Sequence, residues 1–323
     1  MNETVRWGII GCGDVAENKG GPALYKADGS VLVAVMRRDL AKAQEFARRH
    51  GAARAYGAVE ELLTDSEVDA VYIATPPHLH RAQTEMAARS GKDVLVEKPM
   101  ALNAGECDAM VRACHEAGVR LHVAYYRRFY PKFVEGRRLL SAGAVGQILG
   151  ARLQMCAHNT GGGWRTDPRT SGGGHFVDVG SHRLDMLLYL LGDAAEVQGF
   201  SDGLASAHAA EEDVVLTMRM TNRALVSASF HFHTRPSKDI LEIYGTDGTL
   251  IFDPFDGPSF TLRTTKGESI HTFENPQPTH GPFVQALVDV YRGRAEDTPH
   301  VTGEEGAKVT RIMDVALAAR YGL

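Results

Sequence analysis

Gly11-Cys12-Gly13-Asp14-Val15-Ala16 is a G-x-G-x-x-A run that directly follows the apolar residues 5–10. Gly11 permits a tight turn, Gly13 leaves the backbone open to a diphosphate, and Ala16 lets the next helix pack closely. Free N–H groups and the helix dipole at such a turn attract phosphate. Gly11, Gly13, Asp14 and Val15 are therefore expected to hold the phosphates of a dinucleotide. The next apolar segment ends in Val35-Met36-Arg37-Arg38-Asp39. A site for NAD(H) usually offers an acid here to the ribose 2′-hydroxyl. Arg37 and Arg38 instead present guanidinium groups, which suit a 2′-phosphate. The expected cofactor is NADP(H), with NAD(H) as the alternative. Asp39 reads as the N-cap of the following helix.

The elements that must position these residues alternate. Residues 5–10, 31–35, 70–74, 93–96 and 119–124 are short apolar runs that read as strands. Residues 40–50 and 79–90 carry helical patterns between them, and Asn103 with Glu106 resembles a capping box that opens another helix. Such alternation predicts a parallel, doubly wound Rossmann sheet over residues 1–124. Beyond residue 125 the pattern changes. A helix over 131–141, a strand over 147–158, a glycine-rich loop over 160–174 and a helix over 176–191 lead into successive strands, among them 214–218 and 224–232. Helices over 282–291 and 304–321 end the chain. Strands joined by short turns, such as Gly245-Thr246-Asp247-Gly248, predict an open, largely antiparallel sheet in a second α/β domain over 125–323. The C-terminal helix is a candidate for packing back on the first domain.

The bulk properties narrow the function. A chain of 323 residues exceeds what one hydrophobic core usually holds. A net charge of -5 argues against a broad nucleic-acid face but leaves room for a small cationic pocket. Four scattered cysteines, Cys12, Cys107, Cys114 and Cys156, form no C-x-x-C pair and match no zinc spacing. They fit a reducing, cytoplasmic setting. Neither a signal-peptide pattern nor a membrane-length apolar run is read in the sequence. His78, His115, His231 and His233 lie in no supporting motif, and no metal site is expected.

Three further motifs point one way: Ala74-Thr75-Pro76-Pro77-His78-Leu79-His80, Glu97-Lys98-Pro99, and Gly172-Gly173-Gly174-His175-Phe176-Val177-Asp178-Val179-Gly180-Ser181-His182. With the N-terminal glycine loop, the sequence resembles the Gfo/Idh/MocA oxidoreductases from residue 5 to the C-terminal helix. Its arginine after the second strand resembles their NADP-using branch, which includes 1,5-anhydrofructose reductase and glucose-fructose oxidoreductase. The resemblance implies hydride transfer at a carbon–oxygen centre of a sugar, inositol or related polyol, and a homodimer or homotetramer formed through the second sheet. It implies that Lys98 sits near nicotinamide and substrate, that Asp178 and His182 are the acid and histidine of the second domain, and that the Lys98–Pro99 bond is cis. It further implies that Thr75, Pro76, His80 and Glu97 lie along the cofactor and that Trp164-Arg165 meets cofactor or substrate. Many members carry Asn where this chain has Tyr125-Tyr126, so Tyr126 stands as a substrate contact outside the family pattern.

Carbonyl–alcohol interconversion needs a proton donor-acceptor at the reacting oxygen. An imidazole such as that of His182 ordinarily titrates near neutrality and suits the task. Asp178 and His182 are spaced i, i+4, so a helix places them on one face. Asp178 then either orients the imidazole or binds a substrate hydroxyl. Lys98 falls at the C-terminal end of a parallel strand, where doubly wound sheets bind ligands, and its ammonium can stabilise a developing negative oxygen. Two competing readings are a nicotinamide-dependent glycoside hydrolase of the same fold and a non-catalytic NADP(H)-binding regulator.

Overall fold

The structure, a computed structural model, describes residues 4–158, 161–205, 207–295 and 301–322. By contacts the chain divides into two units. One comprises Met1–Tyr126 with Pro276–Lys308, the other Arg127–Asn275 with Val309–Leu323. Residues 276–308, expected with the second domain, thus lie in the first unit. The division falls inside the last helix, Gly303–Tyr321.

The first unit is built on a six-stranded parallel sheet in the order β3-β2-β1-β4-β5-β6. Its strands are β1 (Val5–Ile10), β2 (Ser30–Met36), β3 (Arg54–Tyr56), β4 (Ala70–Ile73), β5 (Asp93–Val96) and β6 (Leu121–Val123). Strand β4 is buried at every position, as expected for a strand covered on both faces. The order reverses between β1 and β4, which is where doubly wound sheets open a crevice for a ligand. The helices between strands are α1 (Gly21–Lys26), α2 (Leu40–His50), α3 (Val59–Leu63), α4 (His80–Arg89) and α5 (Ala104–Ala117). Two of the expected caps form. Asp39 accepts from Lys42 N at 3.2 Å to start α2. Asn103 accepts from Glu106 N at 3.0 Å to start α5, and Glu106 Oε2 accepts from Leu102 N at 3.2 Å. The short elements β3, α1 and α3 were not expected from the sequence.

The second unit carries α6 (Pro131–Ser141), β7 (Ile148–His158), α7 (Pro168–Ser171) and α8 (Ser181–Leu191). Then come β8 (Ala194–Asp202), β9 (Asp213–Met220), β10 (Leu225–His231), β11 (His233–Gly245), β12 (Gly248–Phe252), β13 (Ser259–Thr264) and β14 (Gly267–Thr272). The sheet runs β14-β13-β12-β11-β7-β10-β9-β8 and is antiparallel except where β10 meets β7. Burial alternates along β9, with Val214, Leu216, Met218 and Met220 inward and Val215, Thr217 and Arg219 outward. Helix α8 is buried at every position but Tyr189, so it is a core helix. Helices α9 (Gly281–Tyr291) and α10 (Gly303–Tyr321) complete the chain. No described helix is long and apolar enough to cross a membrane.

One expectation needs correction. The helix over 176–191 is not uniformly α. Phe176–Gly180 form a single π turn, and α8 begins only at Ser181. Asp178 and His182 therefore stand on either side of a change in helical pitch. Single π turns frequently mark functional positions. Of the expected loop over 160–174, Thr160 lies outside the described residues.

Candidate active site

The glycine loop behaves as its spacing demands. Gly11 has φ +92°, and a Cβ there would stand 2.7 Å from Thr75 Cγ2. The backbone turns sharply, with Gly13 N donating to Gly11 O at 2.7 Å. Gly13 is different: a Cβ would meet no protein atom nearer than 4.0 Å. The room it leaves belongs to the groove, not to the packing, and that is the space a diphosphate needs. Ala16 is fully buried, and Ala16–Gly20 form a π turn before α1. Cys12 is buried too, and burial pushes its thiol up to about 11, so it fills space and stays protonated.

Arg37 lies beside this loop, its Nη1 donating to Cys12 O at 3.2 Å. A groove there is lined by Gly13, Asp14, Arg37, Lys42, Phe46 and Arg49, among others. Lys42 and Arg49 are cations that the sequence reading missed. Arg49 and His50 both hold Glu17. Burial raises the Glu17 pKa, but these partners outweigh it and keep the carboxyl below its usual range. Asp39 is committed to capping α2, so its carboxylate is already engaged. Arg38 and Asp14 are exposed, and Val15 is half-buried. The groove's donors and open backbone fit a phosphorylated dinucleotide.

Thr75 and Pro76 are half-buried at the end of β4. Thr75 donates through Oγ1 to Gln83 Oε1 at 2.6 Å. His80 is fully buried, with Nε2 2.8 Å from Thr75 O and Nδ1 3.1 Å from Pro99 O. Burial lowers its pKa despite these carbonyls. Its side chain thus ties the loop after β4 to the loop after β5.

Lys98 is half-buried, and the Lys98–Pro99 bond is cis, as the resemblance implies. Glu97 is buried, and three groups surround its carboxylate. Tyr72 donates to Oε1 at 2.5 Å, Lys98 N donates to Oε2 at 3.1 Å, and His280 Nε2 lies 3.3 Å from Oε1, off the line of a hydrogen bond. Burial alone would raise this carboxyl, yet His280, Lys98 and Tyr72 hold it down at about 2. The same contact, with burial foremost, raises Tyr72 well above an ordinary phenol. Tyr126 is buried, its ring centroid 4.3 Å from that of His280. His280 stands in no motif, and no sequence signal pointed to it.

In the second unit the glycine-rich segment brings three expected residues together. Arg165 stacks over Trp164 at 4.5 Å, and its Nε lies 3.5 Å from Asp178 Oδ2. Trp164 is exposed and Asp178 half-buried, while His182 is buried. Gly173 and Gly174 serve packing: added Cβ atoms would stand 2.4 Å from Val177 Cγ2 and 2.5 Å from Glu211 O. Gly174 N donates to Glu211 Oε1 at 2.7 Å, which fixes the segment against the entrance to β9.

Comparisons with known proteins agree with this architecture. Residues 5–125 match the model of the oxidoreductase family with an NAD-binding Rossmann fold, and residues 133–251 match the GFO/IDH/MocA C-terminal domain. An oxidoreductase of Formosa agariphila is 35% identical, over 98% of this chain and 99% of its own length. The 1,5-anhydro-D-fructose reductase of Ensifer adhaerens is 31% identical, over 93% and 92%. Among solved structures, the aldose-aldose oxidoreductase of Caulobacter crescentus, complexed with glycerol, superposes with a TM-score of 0.89. It covers 99% of this chain and 98% of its own at 24% identity, a likeness of fold. The glycine loop and the E-K-P element fall within the first match and the G-G-G-x-x-x-D-x-G-x-H element within the second, and the chain belongs to the Gfo/Idh/MocA family of oxidoreductases.

Proposed function

We propose that the protein transfers a hydride between NADP(H) and a carbon–oxygen centre of a sugar, inositol or related polyol. The observation that carries the cofactor choice is Arg37, which lines the groove at the glycine loop while Asp39 is engaged as a cap. A guanidinium bonds a 2′-phosphate with charge assistance and gains little from a 2′-hydroxyl. The substrate class rests on relatives named for a sugar-derived ketose, 1,5-anhydro-D-fructose, and for a vicinal ring diol, trans-1,2-dihydrobenzene-1,2-diol.

When bound, the nicotinamide supplies or accepts the hydride. Lys98 extends its ammonium toward the reacting oxygen and stabilises its developing charge. The His182 imidazole gives or takes the proton at that oxygen. Asp178, held by Arg165, binds a substrate hydroxyl or sets the imidazole's orientation. Tyr126 bounds the substrate. Gly11, Gly13, Asp14 and Val15 bind the diphosphate, Arg37 and Arg38 the 2′-phosphate, and Thr75 and Pro76 line the cofactor's path. Glu97 and His80 act as braces behind Lys98 and Thr75, and Trp164 shields the Arg165–Asp178 pair. Exposed Phe200, Val215 and Leu225 on the open face of the second sheet support a homodimer or homotetramer through that face. Four cysteines, none of them in a disulfide, support a cytoplasmic location.

Calorimetry with NADPH and NADH, followed by a panel of sugars, inositols and keto sugars read by nicotinamide absorbance, tests the proposal. NADPH is expected to bind tighter. Replacing Arg37 with Asp should cost NADPH about tenfold to a hundredfold in affinity and spare NADH. Tighter NADH binding by the wild type overturns the cofactor assignment. Release of a coloured aglycone without net reduction moves the protein to the glycoside hydrolases.

A further inference from the structure

A second constellation lies in the second unit, apart from every residue assigned above. Glu212, at the entrance to β9, is fully buried. His175, from the glycine-rich segment, places Nδ1 3.0 Å from Glu212 Oε1 and 3.3 Å from Oε2. His208, four residues before Glu212, places Nε2 3.0 Å from the same Oε1. His233, the first residue of β11, has Nε2 3.7 Å from Glu212 Oε2. That nitrogen is buried and makes no hydrogen bond. Three imidazoles from three segments thus converge on one carboxylate that has no access to water.

A buried carboxylate must be answered by positive charge or by several donors. Its neighbour Glu211 is answered in the ordinary way, by Gly174 N at 2.7 Å and Tyr321 OH at 2.6 Å. Glu212 is faced by imidazoles instead, two of them converging on the same oxygen. One ligand atom each from His175, His208 and Glu212 lie within 4.8 Å of one another. Ligands on a tetrahedral centre at ~2.0–2.1 Å stand about 3.3 Å apart, so a small closing movement suffices. Two neutral imidazoles and one carboxylate form a donor set that zinc uses, and later first-row divalent ions compete for it. His208 is partly exposed, which leaves an entry path.

We propose that His175, His208 and Glu212 bind a divalent transition-metal ion, zinc foremost, with the fourth position open to solvent. The ion would be structural. It fastens the segment around His208 to the glycine-rich segment, three residues before Asp178. No motif announces it, because its ligands are 33 and 4 residues apart (175 to 208, 208 to 212) and match no compact metal spacing.

The test uses the full chain without a polyhistidine tag, stripped by a chelator and titrated with zinc and with cobalt(II). The expected result is saturable uptake of one ion per chain, a visible four-coordinate cobalt spectrum and a higher melting temperature with zinc. His208→Ala, at a partly exposed position, should keep the fold and weaken binding about 100-fold or more. His231→Ala, outside the set, should leave binding unchanged. Glu212→Gln should abolish the cobalt spectrum in whatever fraction melts cooperatively. Absence of saturable uptake, or equal affinity in His208→Ala, overturns the proposal in favour of a hydrogen-bonded histidine–carboxylate cluster. None of these readings depends on nicotinamide or turnover, so they fail or succeed separately from the proposed function.

Discussion

Two glycine-rich segments in this protein run into a single π turn and then an α-helix, yet they use glycine for opposite purposes. At Gly11–Ala16 the second glycine opens onto empty groove, with nothing nearer than 4.0 Å to an added Cβ. At Gly172–His182, Gly173 and Gly174 are hemmed in by Val177 and Glu211. The first segment withholds side chains to admit a ligand. The second withholds them to let a strand entrance approach its backbone and hold Asp178 and His182 in place. Similar composition therefore conceals two physical demands, and only the surroundings tell them apart.

The sharpest way to break this contrast is through turnover. If the second segment positions a proton donor, His182→Ala should lose ~10²–10⁴-fold in kcat while NADPH affinity holds. Lys98→Ala should lose at least as much, and the double mutant less than the product of the two, because groups acting as a unit are not additive. Near-normal kcat in His182→Ala would reduce the second segment to scaffolding.

The next effect is on stability and belongs to the first unit. Glu97 is held at about 2 in the fold against 4.5 for an ordinary glutamate. It therefore contributes stability that is fully present above about pH 4.5 and fades as pH falls toward 2. Glu97→Gln should cost about 3 kcal/mol at neutral pH and flatten the acid limb of a denaturant-midpoint profile. An unchanged acid limb would show that Glu97 is not the group being protonated.

Smaller still are the glycine substitutions. Gly11→Ala should lose about 2 kcal/mol, because its left-handed φ and its contact with Thr75 both resist a Cβ. Gly13→Ala should change stability by less than ~0.5 kcal/mol yet weaken NADPH at least ~10-fold. Intact NADPH affinity in Gly13→Ala would remove the argument that this space serves a diphosphate. Least of all, Arg165→Ala should shift the melt by less than ~1 kcal/mol, since its pair with Asp178 is half-exposed. A larger shift would make that pair a structural fastening.

How much of this was legible in the sequence depended on the range of the interaction. Helices α2 and α5 were readable because Asp39 and Asn103 bond to amides three residues on. The short elements β3, α1 and α3 lack the continuous apolar runs that made the equally short β4 and β5 readable. Arg37 was readable because the strand and glycine loop locate it. Lys42 and Arg49 were missed, although 42, 45, 46 and 49 trace one stripe of α2 and all four line the groove. Nothing local could join Glu97 to His280 or His175 to Glu212, because those contacts exist only once distant segments have met. The π turn before α8 was invisible for another reason: it depends on one extra residue in a coil whose hydrophobic pattern is otherwise helical.

The place of β7 has a kinetic consequence. Every other pairing in the eight-stranded sheet joins consecutive strands, in two meanders, β8-β9-β10 and β11-β12-β13-β14. Only β7 has partners far along the chain, β10 on one side in parallel and β11 on the other. Local hairpins close quickly, whereas pairings over long loops must first meet a chain-closure cost. The two meanders can therefore form early and wait for a strand made long before them during synthesis. Until β7 docks, each meander exposes an unpaired edge to any neighbouring chain. Crowded refolding should thus aggregate through β10 and β11, and a core substitution in β7, such as Leu153→Ala, should slow folding more than an equally destabilising one in β13.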